Sequence, residues 1–538
     1  MRLSPTVWLA AFAAILVTPS WAADGAGLVK DGVPSANATG TTTSLTLIDP
    51  DFRTNLLATR TDALENPSGL ITNYGMLSDG TLTEPDENTY VVFPHNPGGP
   101  SQNYDYGRHF LYQGHENRSP KAYVTRINLD VPRGDIHRIT LLTPVDPSTG
   151  DFGFGSIDGS TYNPFTGTLL FTQEARNKGG VIQITTGWPA QVSTLDAFLG
   201  KGGYEGIHTD RHGNIYIVED VGDASGSTTT PIKLNKARQP NSFVYRFVPY
   251  NPKRIEDGGK LQALQIWIDG APMVFGRSTP VQRDADIVSD AQLKLHTPGT
   301  HYPLKWLTIH ISNAGDTARF DANAAARAAG ATSFKRPENM AWLPGSDFRT
   351  FFFDPTGDTD PIAGENSFLQ ARGAYGAIFR VDLDPIEGES GNHHDNQPST
   401  FDGQISLFFL GDHDHNSFDN LAFINEHQLL AAEDRGDTLH TELNTLDSIW
   451  AFDVRTGEPI RFVALGRDAT SIAHNKDNEP TGVYVSNGSI EKGQLLGTKE
   501  SIQNARGFFT QQHGDNSTYE FYQVRERQKG SVPAVVQQ

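Results

Sequence analysis

The sequence predicts an all-β fold, a β-propeller of about six blades, and three observations lead there. The chain has 538 residues with 53 Gly and 32 Pro, the punctuation of many short strands joined by turns rather than of long helices. RHFLYQGHE (108–116), GTLLFTQEA (167–175), GNIYIVEDVGD (213–223), FRTFFFDPTGD (348–358), HQLLAAEDRGD (427–437) and RGFFTQQHGD (506–515) share one shape. Each is a short apolar or aromatic strand that ends in acidic or amide residues. Five are followed by a second strand pattern: AYVTRINLD (122–130), GGVIQITT (179–186), SFVYRFVPYNP (242–252), GAIFRVDLDP (376–385) and DSIWAFDVRTGEP (447–459). Loosely repeated units of this size, with turn signals such as NPFTG, TDRHGN and LPGSD ahead of the first strands, are the pattern of four-stranded blades.

Taken in order, the chain opens with Arg2, an apolar run from Val7 to Val17, and small residues at Ser20, Ala22 and Ala23. Residues 1–23 thus read as a cleaved Sec-type secretory signal, which places the mature protein in the periplasm or outside the cell. The run is short for a membrane anchor and no stop-transfer charges follow it. Residues 24–107 are rich in Gly, Ser, Thr, Asn and Pro and are expected to form an extended arm around the main body. The propeller is expected over 108–520, interrupted at about 253–335 by an insertion whose stretch DANAAARAAGA (321–331) has helical composition. Residues 521–538 form a C-terminal tail.

The formal net charge is −20 and there is no cysteine. The charge argues against a nucleic-acid or anionic-membrane partner, and the lack of thiols turns any metal chemistry toward carboxylates. Equivalent strands of neighbouring blades end at one face, so Glu116, Glu174, Glu219, Asp220, Glu433 and Asp434 are expected to gather at one channel mouth. Such a cluster calls for cations or compensating arginines, with calcium the natural ion for an exported, cysteine-free site. For any one of these carboxylates alone, a turn cap or an ion pair is the commoner role; their recurrence shifts the balance.

Other segments are weighed the same way. KRPENMAW (335–342) sets Arg336 and Glu338 around Pro337, which suits an anion fork beside a metal ligand as well as it suits a loop-closing ion pair. GDHDHNSFDNLAF (411–423) lacks the first His of the metallo-hydrolase HxHxDH pattern, and its Asp419, just before a strand, is the better candidate for the mouth. The RHG triplet in TDRHGN (209–214) has no following RxP and is read as a hairpin turn. No GxSxG, Walker A or HExxH pattern occurs, which removes the usual serine-hydrolase, P-loop and zincin readings.

YEGIHTDRHGNIYIVED (204–220) followed by VYRFVP (244–249), then FKRPEN (334–339), SFDNLAF (417–423) with LLAAED (429–434), and NEPTGVYVSNG (478–488) before QQHGD (511–515) resemble, in this order, the PhoX-type alkaline phosphatases, a family of secreted bacterial β-propellers. The resemblance covers roughly 108–520. It implies a phosphomonoesterase acting on a small phosphorylated substrate, with calcium in an acidic channel and, in well-described members, two irons bridged by oxygen and a cysteine sulfur. On that model Glu174, Glu205, Glu338, Asp419 and Glu433 are metal ligands, and Arg336 is both catalytic and substrate-binding. Two departures stand out. SIDGST (156–161) occupies the region of the family's cysteine, and the adjacent strand ends in Gln173-Glu174-Ala175, so the thiolate-bridged iron pair cannot form. MRLSPT also lacks the twin arginines of folded export. Both agree on calcium without iron; separately, a monomer is expected.

Two other readings stay open at this stage. One is a different calcium-dependent propeller hydrolase, lactonase or phosphotriesterase-like, with His115 as a base. The other is a non-catalytic, calcium-stabilised binding propeller, since function does not follow from a propeller alone.

Overall fold

Each blade is a run of short strands whose side chains alternate between the two neighbouring blades, so nearly every strand is buried on both faces. The computed structural model describes residues 28–536 apart from 39–41, 70, 147, 223, 229–233, 277–278, 386–400, 470–477 and 525–533; the expected signal at 1–23 lies outside the described residues. Blade 1 holds Glu84–Val92, His109–Glu116, Tyr123–Asn128 and Ile139–Leu141, and blade 2 holds Ile157–Asn163, Thr168–Gln173, Gly180–Thr185 and Val192–Thr194. Blade 3 is Tyr204–Thr209, Ile215–Glu219, Val244–Pro249 and Gly258–Ile268; blade 4 is Pro337–Trp342, Thr350–Pro355, Ala377–Leu383 and Gly403–Leu410. Blade 5 is Phe418–Asn425, Gln428–Glu433, Ser448–Asp453 and Pro459–Ala464. Blade 6 takes Pro480–Ser486, Arg506–Gln511 and Ser517–Gln523, and its fourth strand is Phe52–Ala58 from the other end of the chain. The first strands pack on one another in cyclic order and close a ring around the channel.

The propeller of about six blades is therefore present, with its boundaries moved. The expected arm, 24–107, supplies the outer strand of blade 6 (Leu56 opposite Tyr519) and the inner strand of blade 1 (Tyr90 opposite Leu111). Its Leu47–Ile48 also extends blade 5 beside Ala464 and Val463. These pairings join residues far apart in sequence, which local turn composition cannot reveal. The insertion likewise starts later than 253, because Gly258–Ile268 is the outer strand of blade 3. It pairs with His301–Asn313, which in turn pairs with Gly403–Ser406 and so fuses blades 3 and 4 along their outer edges. Helix Ala322–Ala329 forms as its composition predicts: Asp321 accepts the Ala324 N–H at its start, and Gly330 ends it at φ +79.

Aromatic rings fill the gaps between blades. Between blades 3 and 4, Tyr216 meets Trp342 edge-on with centroids 4.8 Å apart, and within blade 4 Phe353 lies 5.5 Å from its cross-strand partner Phe379. The TDRHGN segment is the hairpin turn that was expected: Asp210 accepts the His212 and Asn214 N–H groups at 2.8 and 2.9 Å, and Gly213 takes φ +81. Among the described residues no helix is long and apolar enough to cross a membrane.

Two core histidines give the fold a pH dependence. Burial pushes His208 and His296 down to about 4. The unfolded chain binds these protons near pH 6.5 and the folded chain does not, so unfolding becomes easier as pH falls from about 6.5 to 4. Calorimetry is expected to show the unfolding temperature dropping through that window, with a shallower drop in His296→Gln.

Candidate metal centre

The channel mouth is built by one device repeated in every blade. Near its start each inner strand carries one residue more than its partner, a β-bulge, between Pro85 and Asn88, Ile157 and Ser160, Tyr204 and Ile207, Pro337 and Met340, Phe418 and Leu421, and Thr481 and Tyr484. A bulge bends the strand and re-aims a side chain. The first residues inside the bulge are Asp86, Asp158, Glu205, Glu338 and Asp419 in blades 1 to 5; in blade 6, where the bulge falls one residue later, Thr481 lies just before it. The next position is kept small or polar because neighbouring inner strands touch there; a Cβ on Gly159 would lie 2.3 Å from the Glu205 carbonyl oxygen.

The second strand of each blade runs antiparallel and ends at the same mouth, adding a second tier. The residues just beyond the pairs with Ile157, Tyr204 and Phe418 are Glu174, Asp220 and Asp434, and the residue in the same place in blade 1 is Glu116. Blades 4 and 6 put Thr356 and Gln512 there instead. The two tiers merge into an arc of three overlapping groups: Asp86, Glu116 and Asp158; Asp158, Glu174 and Glu205; Glu205, Asp220 and Glu338, with oxygens within 4.8 Å of one another in each.

An arc of this density has an electrostatic signature. Burial first, and repulsion between the carboxylates second, push Glu116, Asp158, Glu205, Glu338 and Asp419 well above the usual carboxylate range. Asp86 rises to about 6 and Glu174 to about 8, again chiefly by burial. The neutral residues act as struts: Gln512 donates to Asp86 at 2.9 Å, Thr481 also donates to Asp86, and Thr356 donates to Glu338 at 2.6 Å.

Among the described residues, one cation, Arg336, enters the arc. Arg336 donates from Nε to Asp220 at 2.8 Å, its Nη2 lies 3.0 Å from Glu338, and its Nη1 makes no hydrogen bond among the described residues. Its backbone sits at φ +58, a conformation L-residues rarely adopt and one that the packing around it must hold in place. Arg336 and Asp434 together line a cavity of about 370 Å³ beside the arc.

Of the residues expected from sequence, Glu174, Glu205, Glu338 and Arg336 come together as described, and Asp419 joins them, since Asp86, Glu338 and Asp434 all act on its charge. Glu433 does not join them and is corrected here. It accepts from Arg435 Nη2 at 2.6 Å, from the Ser448 N–H at 3.0 Å and from the Asn416 N–H at 3.2 Å, all inside blade 5. Alternation along the strand sends Glu433 into its blade and Asp434 toward the mouth. Glu219 is likewise turned inward, onto Tyr245 and Asn323. His115 is corrected as a base: it stacks on Tyr123, contacts Thr83 and Thr125, and burial pushes it down to about 3. Asp86 and Asp158 were not singled out from sequence. PDEN (85–88), IDGS (157–160), YEGI (204–207), PENM (337–340) and FDNL (418–421) form a repeat, an apolar residue or proline followed by an acid, that could have found them.

A family model matches the chain, and a solved structure shares its fold. The family model described as alkaline phosphatase PhoX matches residues 154–487. The structure of Pseudomonas fluorescens PhoX in complex with vanadate, a transition state analogue, aligns with a TM-score of 0.53 over 92% of this chain and 97% of that chain, at 15% identity. A gluconolactonase from Xanthomonas campestris aligns with a TM-score of 0.36 and 11% identity over 92% of this chain and 99% of that one. A search of curated proteins finds no match.

Proposed function

The chain belongs to the alkaline phosphatase PhoX family, and from that premise we propose that it is an exported, calcium-dependent phosphatase that hydrolyses small phosphate monoesters. The observation that carries the reading is the carboxylate arc with a single arginine set into its edge, at the wall of a cavity.

The donor set fits hard cations. Every side-chain donor in the arc is oxygen, and Asp220 keeps a buried Oδ1 with no hydrogen-bond partner. Asp86 contacts Glu116 and Asp158 contacts Glu205, carboxylate against carboxylate, which is stable only with shared protons or with cations between them. Asp86, Glu116, Asp158, Glu174, Glu205, Asp220 and Glu338 would hold calcium, with Asp419 beside them. A thiolate-bridged iron pair does not fit, because the chain has no cysteine.

Calcium bound in the arc supplies positive charge to the phosphoryl oxygens. The protein's own part is placement. Asp220 and Glu338 fix the guanidinium plane of Arg336 from two sides, which leaves Nη1 to donate to a phosphoryl oxygen without a search through rotamers. Thr356 holds Glu338, and Gln512 with Thr481 holds Asp86, so neutral donors from two blades fix the acids at both ends of the arc. Export rests on the N-terminal segment, whose charge, apolar run and small residues form a secretory signal.

The test is direct. Purified mature protein is expected to hydrolyse p-nitrophenyl phosphate, to lose at least about a hundredfold in rate when EDTA removes its metal, and to recover with calcium as elemental analysis shows the ion returning. Calcium-replete protein with filled sites and no phosphatase activity would falsify the reading.

A further inference from the structure

The cavity beside the arc bears on which phosphate esters the protein takes, and the inference rests on the phosphatase reading. Its lining is wholly polar side chains and one glycine, so it offers no apolar surface to an aromatic or lipid leaving group. Besides Arg336, the wall includes Lys236 and Arg238, from the loop between the second and third strands of blade 3.

Two of the wall's three acids, Asp358 and Asp360, are already engaged with cations. Asp358 is fully buried, 2.9 Å from Lys335 Nζ, and accepts the Arg238 backbone N–H at 2.9 Å. Asp360 pairs with Lys236 at 3.0 Å and caps the helix Pro361–Glu365 through the Ile362 N–H. Arg435, also in the wall, is held by Glu433. Arg238 differs from all of these: among the described residues its guanidinium makes no hydrogen bond and no ion pair. A half-buried arginine fork left open in a polar cavity, in company with the phosphate-facing Arg336, is suited to a second planar or tetrahedral anion.

We propose that this cavity is an anion subsite for the leaving group, and that the preferred substrates are small phosphate esters bearing a second negative group, a carboxylate or another phosphate. Arg238 binds that group, Lys236 adds charge beside it, and the phosphate to be cleaved lies at Arg336. Its pairing with Arg238 offsets the repulsion that the substrate meets from Asp434 and the rest of the acidic mouth.

Two inert probes test this without turnover. 3-Phosphonopropionate carries a carboxylate beyond its phosphonate and propylphosphonate does not. Calorimetry on the calcium-loaded protein is expected to show the former binding about tenfold more tightly, the worth of one charge-assisted hydrogen-bond pair at a partly open site. In Arg238→Gln the gap should close to less than about threefold, and in the wild-type protein it should narrow as salt is raised. Equal affinities in the wild-type protein, or a gap that Arg238→Gln or salt leaves untouched, overturns the subsite. Hydrolysis of glycerol 3-phosphate, which has no second anion, reports on the phosphatase reading by itself, so failure of the one is distinct from failure of the other.

Discussion

Arg336→Lys is expected to lower kcat/KM for a phosphate monoester by about a hundred- to a thousandfold, with fold and bound calcium retained. Lysine keeps the charge and loses the fork. Arg336 uses Nε and Nη2 on Asp220 and Glu338 at 2.8 and 3.0 Å, so its phosphate contact comes from a plane already locked by two carboxylates. A lysine ammonium satisfies one of those acids and has no rigid third donor to aim. The magnitude follows the loss of one preorganised donor at a developing negative charge. Steady-state kinetics, circular dichroism and metal analysis on the same preparation check it; a variant within about threefold of wild type, metal content unchanged, would take Arg336 out of the phosphate site.

Glu433→Gln is expected to act on the fold instead. The Arg435 side chain is 1% exposed and Glu433 is its closest carboxylate partner; removing that charge strands a buried cation. Asp447, 3.9 Å from Arg435 Nε, and Thr445 offer partial compensation, which puts the cost near the lower end of about 3–5 kcal/mol. Urea unfolding in calcium measures it. Asp434→Asn, one residue on and facing the mouth, is expected to do the reverse, changing activity through the Arg336 whose charge it acts on, with little change in the unfolding midpoint. If Glu433→Gln lost metal while keeping its stability, the placement of the two residues would have to be exchanged.

That pair shows where sequence reasoning stops. The strand QLLAAED announces a charged end, yet which of two adjacent acids faces the channel depends on register, and a shift of one residue reverses every side chain. The blades themselves were legible because their second strands are apolar and end alike. The inner strands were not, since PDEN and IDGS put acids and small residues where a strand pattern calls for alternation, and only pairing across a bulge gives those residues a common direction. SIDGST drew notice for the cysteine it lacks, while its Asp158 belongs to two of the three metal groups. Glu205 is reached only through resemblance to a family, whereas Glu338 and Asp419 also stand out in their own segments, KRPENMAW and GDHDHNSFDNLAF. The repeated acid two or so residues into each inner strand would have reached them from the chain alone, together with Asp86 and Asp158.

The outer strand of blade 6, Phe52–Ala58, also governs when the site comes into being. Asp86, made early, is held by Thr481 and Gln512 from the last blade, and that blade lacks an edge until Phe52–Ala58 pairs with Ser517–Gln523. The arc is thus finished only when the two ends of the chain meet. On the proposed export of an unfolded chain, metal capture and ring closure become one event, and a chain that has not closed presents loose acids rather than a competent site.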